Sequence, residues 1–230
     1  MSLQSVSHSI VDNVRRVRAE LDAAARAAGR EPGSVRLIAV AKTQPAERIR
    51  AAAAAGCRDI GESYLQEALP KIRALADLDL TWHFIGAIQS NKTRPIAEHF
   101  DWVHTVARPK IAERLAAHCP PGKVLNVTLQ VNVDRDPAKA GVEPEAAAEL
   151  LDDVQRRPNL RVRGLMTILR LDTPPLDGYR RLARLFEALR PRALGEWDTL
   201  SMGMSGDFAE AVAAGATHVR IGTAIFGPRN

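Results

Sequence analysis

The feature that most constrains this chain is an alternation. Eight short runs of strand type recur along the chain, and the first seven are each followed by a longer stretch with helical spacing. "VRLIAVAK" precedes "PAERIRAAAAAG", "CRDIGES" precedes "YLQEALPKIRALA", and "LTWHFIG" precedes "NKTRPIAEHF". The pattern continues through "WVHTV", "VLNVTLQVNV", "VRGLMTIL" and "WDTLSMG", and "HVRIGTAIFG" is the eighth run, with little after it. Strands apolar on both faces and separated by helices pair in parallel through right-handed crossovers. Eight such units in 230 residues match an α/β fold of the (β/α)8 TIM-barrel kind, typically ~250 residues long. A doubly wound open sheet is the alternative, but no glycine-rich turn follows the first strand to mark a dinucleotide site. An extra helix, "IVDNVRRVRAELDAAARAAGR", stands in front and stops at Gly29. No Pro/Gly/Ser linker divides the chain, so residues 1–230 are expected to form a single domain.

Charge and composition narrow the function. The net charge is +5, but the arginines are scattered and interleaved with acidic residues, and aromatic residues make up only 4%. A nucleic-acid binder would gather its cations beside stacking aromatics, so no nucleic-acid partner is expected. Cys57 and Cys119 lack companions at metal-ligand spacing, which argues against a zinc site and fits a reducing cytoplasm. The N-terminus has no apolar run of signal-peptide type, and no later run is long enough to span a membrane. No apolar stripe is evident on the surface helices, so a monomer is expected.

In a (β/α)8 barrel the chemistry sits at the C-terminal ends of the strands. Lys42 ends the first strand; Glu62 and Ser63 follow the second and Gly86 the third. Met166 and Thr167 lie near the end of the sixth, Ser205 follows the seventh, and Gly222 and Thr223 follow the eighth. The loops after strands seven and eight are where such barrels recurrently bind phosphate. "SMGMSGDF" offers glycines, a hydroxyl and a helix start, and "RIGT" a glycine and a threonine. Bare backbone N–H groups can approach an anion closely there. Ser205 could also be no more than a helix cap and Gly222 a turn residue. Lys42 could be a cation snorkelling at a strand end. If instead its amine is partly desolvated, it is a nucleophile toward an aldehyde. An amine facing a phosphate cradle suits an aldehyde that carries a phosphate, either pyridoxal 5′-phosphate (PLP) or a phosphosugar.

Five blocks in order, "AVAKTQP", "IGESYLQEALPK", "WHFIGAIQSNK", "RGLMTI" and "LSMGMSGDFAEAVAAGATHVRIGTAIFG", resemble the PLP homeostasis family over nearly the whole chain. The resemblance implies the barrel of the alanine-racemase N-terminal domain. It also implies PLP held as a Schiff base without established catalysis, and a part in vitamin B6 balance. Residue by residue, Lys42 resembles the Schiff-base lysine, and Ser205, Gly222 and Thr223 the phosphate cradle. Arg220 resembles the arginine facing the pyridine nitrogen, where a cation disfavours protonation and weakens the ring as an electron sink. Met166, Ser63, His83 and Lys139 are further candidates for the cofactor's surroundings. Each has a plainer role available: packing for Met166, a hydrogen-bonded core position for His83, a solvated loop for Lys139. Tyr64 could wall the site. "GESY" places Ser63 where the family usually has asparagine, "AKAG" lacks the usual serines around Lys139, and Ala41 stands before Lys42 where serine is common. The expectation is a non-enzymatic PLP carrier or buffer, with apo PLP-dependent enzymes as possible recipients. The alternative is a PLP-dependent racemase or a Schiff-base lyase on the same barrel. Against the racemase, the sequence stops at "FGPRN" without a further β-domain and shows no obvious second base.

Overall fold

A computed structural model describes residues 3–228 of the chain, with side chains from residue 9; the expected domain limits, residues 1 and 230, lie outside the described residues. Helix α1 (Leu3–Ala27) comes first, and its chain reverses at Gly29, whose φ of 69° favours glycine. Strand β1 (Arg36–Val40) then opens the alternation, followed by α2 (Ala46–Ala54), β2 (Asp59–Glu62), α3 (Leu65–Ala74) and β3 (Thr81–Phe84). Next come α4 (Thr93–His99), β4 (Trp102–Val106), α5 (Pro109–His118), β5 (Leu125–Gln130) and α6 (Ala147–Val154). The chain continues with β6 (Leu160–Met166), α7 (Pro175–Leu189), β7 (Thr199–Ser201), α8 (Phe208–Ala213), β8 (His218–Ile221) and a four-residue α9 (Thr223–Phe226). The eight strands close in sequence order, every pairing parallel, with β8 returning to β1. The barrel and the leading helix are as the alternation implied. The element not anticipated is α9, directly after the last strand.

Strand periodicity sorts the side chains into two cores. Leu37, Ala39, Ile60, Trp82, Phe84, Val219 and Ile221 face outward and join the helices in one apolar shell. The alternate positions face the barrel axis. Near the mouth these are apolar, where a Cβ on Gly61 would stand 2.9 Å from Ile38 and 3.3 Å from Ile85. Others are polar: His83, His104 and His218 are buried around Trp102, and Ser201 and Arg220 are buried as well. A barrel interior is usually packed with Val, Ile and Leu. A polar interior is stable only when its groups are mutually hydrogen-bonded, and these largely are.

Among the described residues, no helix is long and apolar enough to cross a membrane.

Candidate functional site

At the C-terminal end of the barrel lies a cavity of about 260 Å³, lined by Lys42, Gln44, Ser63, Ser205, Gly206, Arg220, Gly222 and Thr223 among others. That is just under the ~300–1,000 Å³ common for ligand pockets, room for one substituted ring and too little for a dinucleotide.

The strand β1 delivers Lys42 to this cavity through a tight turn. The N–H of Gln44 donates to the carbonyl of Ala41 at 3.0 Å, which makes Lys42 and Thr43 the central residues of a β-turn. Thr43 has a φ of 64° and Lys42 does not, the pattern of a type II turn. Glycine normally fills that second position; a β-branched residue there costs roughly 1–3 kcal/mol. Lys42 is half-buried and its side chain lines the cavity.

Across the mouth, the loop between β7 and α8 carries Ser205 and Gly206. It is held by Asp207, whose carboxylate accepts from the N–H of Met204 at 2.6 Å and from the hydroxyl of Tyr179 at 2.8 Å. Burial and the neighbouring Asp207 push the Tyr179 hydroxyl well above its usual value, so it stays a donor. A methyl at Gly206 would meet nothing within 4 Å, so the backbone there is bare toward open space. Gly222 and Thr223 begin α9, whose first N–H groups have no intrahelical acceptor. The site therefore sets one amine on one wall against hydroxyls and unshielded backbone on another.

Arg220 rises between them from β8, only 4% exposed. Its guanidinium donates to Ser201 Oγ at 2.8 Å and to the Thr167 carbonyl at 2.9 Å. Among the described residues no carboxylate lies within ion-pair distance of it. Burial lowers its pKa, though not enough to discharge an arginine. The hydrogen bonds continue inward. Ser201 Oγ lies 2.8 Å from His104 Nδ1, His104 Nε2 lies 2.9 Å from His83 Nδ1, and His83 Nε2 lies 2.9 Å from Asp59 Oδ1. The chemistry of donors gives this chain one direction. A carboxylate only accepts, so His83 carries its proton on Nε2 and accepts at Nδ1; His104 then donates from Nε2 and accepts from the Ser201 hydroxyl. Burial lowers the pKa of both histidines and keeps them neutral. Arg220 thus donates to neutral groups and brings its charge to the cavity wall.

The structure thus gathers Lys42, Ser63, Ser205, Arg220, Gly222 and Thr223 around one space. The other expected residues stand apart from its wall. Met166 is fully buried at the end of β6. His83 is deep in the barrel with both nitrogens engaged. Lys139 donates to the carbonyls of Leu169 and Ile168. Tyr64 is 53% exposed. The wall also includes residues that sequence reasoning missed: Gln44, Ile85, Ile168, Met204 and Phe226. Gln44 could have been found, since a turn that places Lys42 brings the next polar residue with it. Ile168 carries no chemical signal and could not.

The donor set fits PLP: an amine for an aldehyde, hydroxyls and bare backbone for a phosphate, a fixed cation for a ring nitrogen. Comparisons with known proteins point the same way. The family described as alanine racemase, N-terminal domain, matches residues 12–230. A protein of Pseudomonas aeruginosa named pyridoxal phosphate homeostasis protein is 55% identical over 223 residues, 96% of each chain. One of the same name from Escherichia coli K12 is 45% identical over 97% of this chain and 98% of its own. Among solved structures, PipY of Synechococcus elongatus with PLP bound superposes with a TM-score of 0.83 at 38% identity, covering 95% of this chain and all of the other. Alanine racemase from Corynebacterium glutamicum shares the fold, with a TM-score of 0.71 at 19% identity, and this chain covers 61% of it.

Proposed function

The chain belongs to the alanine racemase N-terminal domain family, and from that premise we propose that it binds PLP at the barrel mouth and takes part in cytoplasmic vitamin B6 homeostasis as a non-catalytic carrier or buffer. When bound, PLP supplies an aldehyde with which a neutral lysine amine condenses. Lys42 provides that amine. Ser205 and Thr223 donate hydroxyl hydrogen bonds to the phosphate, and the backbone at Gly206 and Gly222 lets it come close. Arg220 would offer the ring nitrogen an undischarged cation, which disfavours a proton there. The observation that carries the reading is that all of these groups line one cavity of matching size.

The same wall supports a carrier over a racemase. Its ionisable groups among the described residues are Lys42 and Arg220; two-base proton exchange needs a second base of suitable pKa facing the first. Apo PLP-dependent enzymes are the natural recipients of a cofactor held this way, and we take the working form to be a monomer.

Titration of the purified protein with PLP, followed by absorption, tests the proposal. The wild type should saturate at one equivalent. Ser205→Ala should bind about tenfold or more weakly, the effect of losing a hydrogen bond to a charged group. Incubation of the loaded protein with L-alanine in D2O should leave the α-proton in place. Exchange of that proton would move the racemase reading to the front.

A further inference from the structure

The strained turn that carries Lys42 is held from outside the barrel. Lys71, on α3 and 9% exposed, reaches inward and donates from Nζ to the carbonyl of Ala41 at 2.9 Å. Its ammonium also meets Glu62 Oε1 at 2.8 Å, at the end of β2, and Glu67 Oε2 at 3.7 Å, one helical turn back on α3. That same Glu67 oxygen accepts from the N–H of Thr43 at 2.8 Å. The two peptide groups flanking Lys42 are therefore gripped by one charged cluster, one through its oxygen and the other through its nitrogen. Glu62 is fully buried, and its second oxygen, Oε2, has no hydrogen-bond partner. A buried ion pair with an orphaned oxygen is weak evidence for stability alone, which leaves the grip on the turn as its consequence.

We propose that Lys71 and Glu67 are positioning residues for Lys42, holding the left-handed Thr43 peptide in place so that the lysine amine projects into the cavity. The proposal rests on the reading of Lys42 as the residue that takes the aldehyde. A type II turn with threonine at its third position relaxes when its hydrogen bonds are removed, because another backbone conformation suits that residue better. Relaxation turns the peptide between Lys42 and Thr43 and with it the direction of the amine. The wall formed by Ser205, Gly222 and Thr223 follows β7 and β8 and makes no hydrogen bond to Glu67 or Lys71. Attachment to Lys42 and retention of a phosphate therefore separate.

Two ligands and three substitutions, one pair of them combined, test this. The ligands are PLP, which carries the aldehyde, and pyridoxine 5′-phosphate, which lacks it. Glu67 is half-exposed, so Glu67→Ala should fold; Glu67→Gln keeps an oxygen able to accept from Thr43 and is the rescue. Glu67→Ala should slow covalent attachment of PLP about tenfold or more, in keeping with the sensitivity of reaction rates to small misplacements. Its affinity for pyridoxine 5′-phosphate should stay within about twofold of wild type, and Glu67→Gln should restore most of the attachment rate. In a Thr43→Gly background, where the turn carries no strain, Glu67→Ala should have a smaller effect on attachment, a non-additivity expected of coupled neighbours. Attachment at the wild-type rate in Glu67→Ala, an equal loss of both ligands, or an unchanged effect in the Thr43→Gly background would each overturn the positioning role. If the wild-type protein itself gives no adduct at Lys42, the reading of Lys42 fails instead.

Discussion

Gly86 marks how closely the loops of the mouth are packed. A Cβ there would stand 2.0 Å from the carbonyl oxygen of Ser63, a residue of the cavity wall. Gly86→Ala should therefore displace the loop after β2 and cost about 1–3 kcal/mol, read as a lowered thermal midpoint together with weaker PLP binding. Ser201 is a second position where one atom matters. Its hydroxyl joins Arg220 to His104, and Ser201→Ala leaves a nearly buried guanidinium N–H and a buried imidazole nitrogen without partners. The expected cost is about 1–3 kcal/mol, measured by denaturant unfolding; a loss under about 0.5 kcal/mol would mean that the chain of hydrogen bonds is not what satisfies Arg220. At this scale the sequence was informative where chemistry and strand ends coincide. That Lys42, Ser205, Gly222 and Thr223 would line the mouth was legible because they follow strand ends, where a barrel opens its cavity. Lys71 and Glu67 were not, because on a helix read alone they look like ordinary solvated charges.

Helix α1 does more than precede the barrel. Asn13 donates to the carbonyl of Ile225 at 3.0 Å, and Arg16 to that of Ala224 at 3.0 Å, tying α1 to α9. Arg48 on α2 reaches the carbonyl of Phe226 from another side and also holds Gln44 Oε1 at 2.6 Å. A four-residue helix has almost no stability of its own, so the backbone at Gly222 and Thr223 depends on these ties. Removing both from α1, as Asn13→Ala with Arg16→Ala, should weaken inorganic phosphate binding severalfold while leaving covalent attachment at Lys42 possible; unchanged phosphate affinity would show that α9 stands without them. The strands were legible because short runs with apolar positions recur between helical stretches, as a parallel barrel requires. Helix α9 was not, since "TAIF" continues the apolar run of β8, and only tertiary ties decide that it coils.

The whole barrel encloses polar groups that titrate in opposite senses. Burial lowers the pKa of His83, His104 and His218, the last to about 3. The folded chain keeps them neutral while the unfolded chain protonates them below about 6.5. Their stabilising contribution is thus complete above that pH and is lost as pH falls, at up to about 1.4 kcal/mol per pH unit for each histidine. Glu62 runs the other way. Burial raises it to about 6, against the partial opposition of Lys71, so its contribution is greatest below the ordinary carboxylate value and is lost as pH rises toward 6. Three histidines outweigh one carboxyl, and the thermal midpoint should fall steadily from pH 7 to pH 5. A flat profile would mean that the histidines are not buried neutral. The sequence could not show this interior. His83 and His104 are 21 residues apart, and His104 and Ser201 are 97 apart; only closure of the barrel brings them into one line. The alternation announced the barrel but not what fills it.

The proposed role of Lys42, set in the turn after β1, is to hold an aldehyde. Its most direct test is to load the intact protein with PLP, reduce it with borohydride, digest it and map the modified peptide by mass spectrometry, with Lys42→Ala treated in parallel. One pyridoxyl group is expected, on Lys42, and none on the folded variant. A reduced adduct on another lysine of the wild type, or an undiminished adduct in Lys42→Ala, would contradict it.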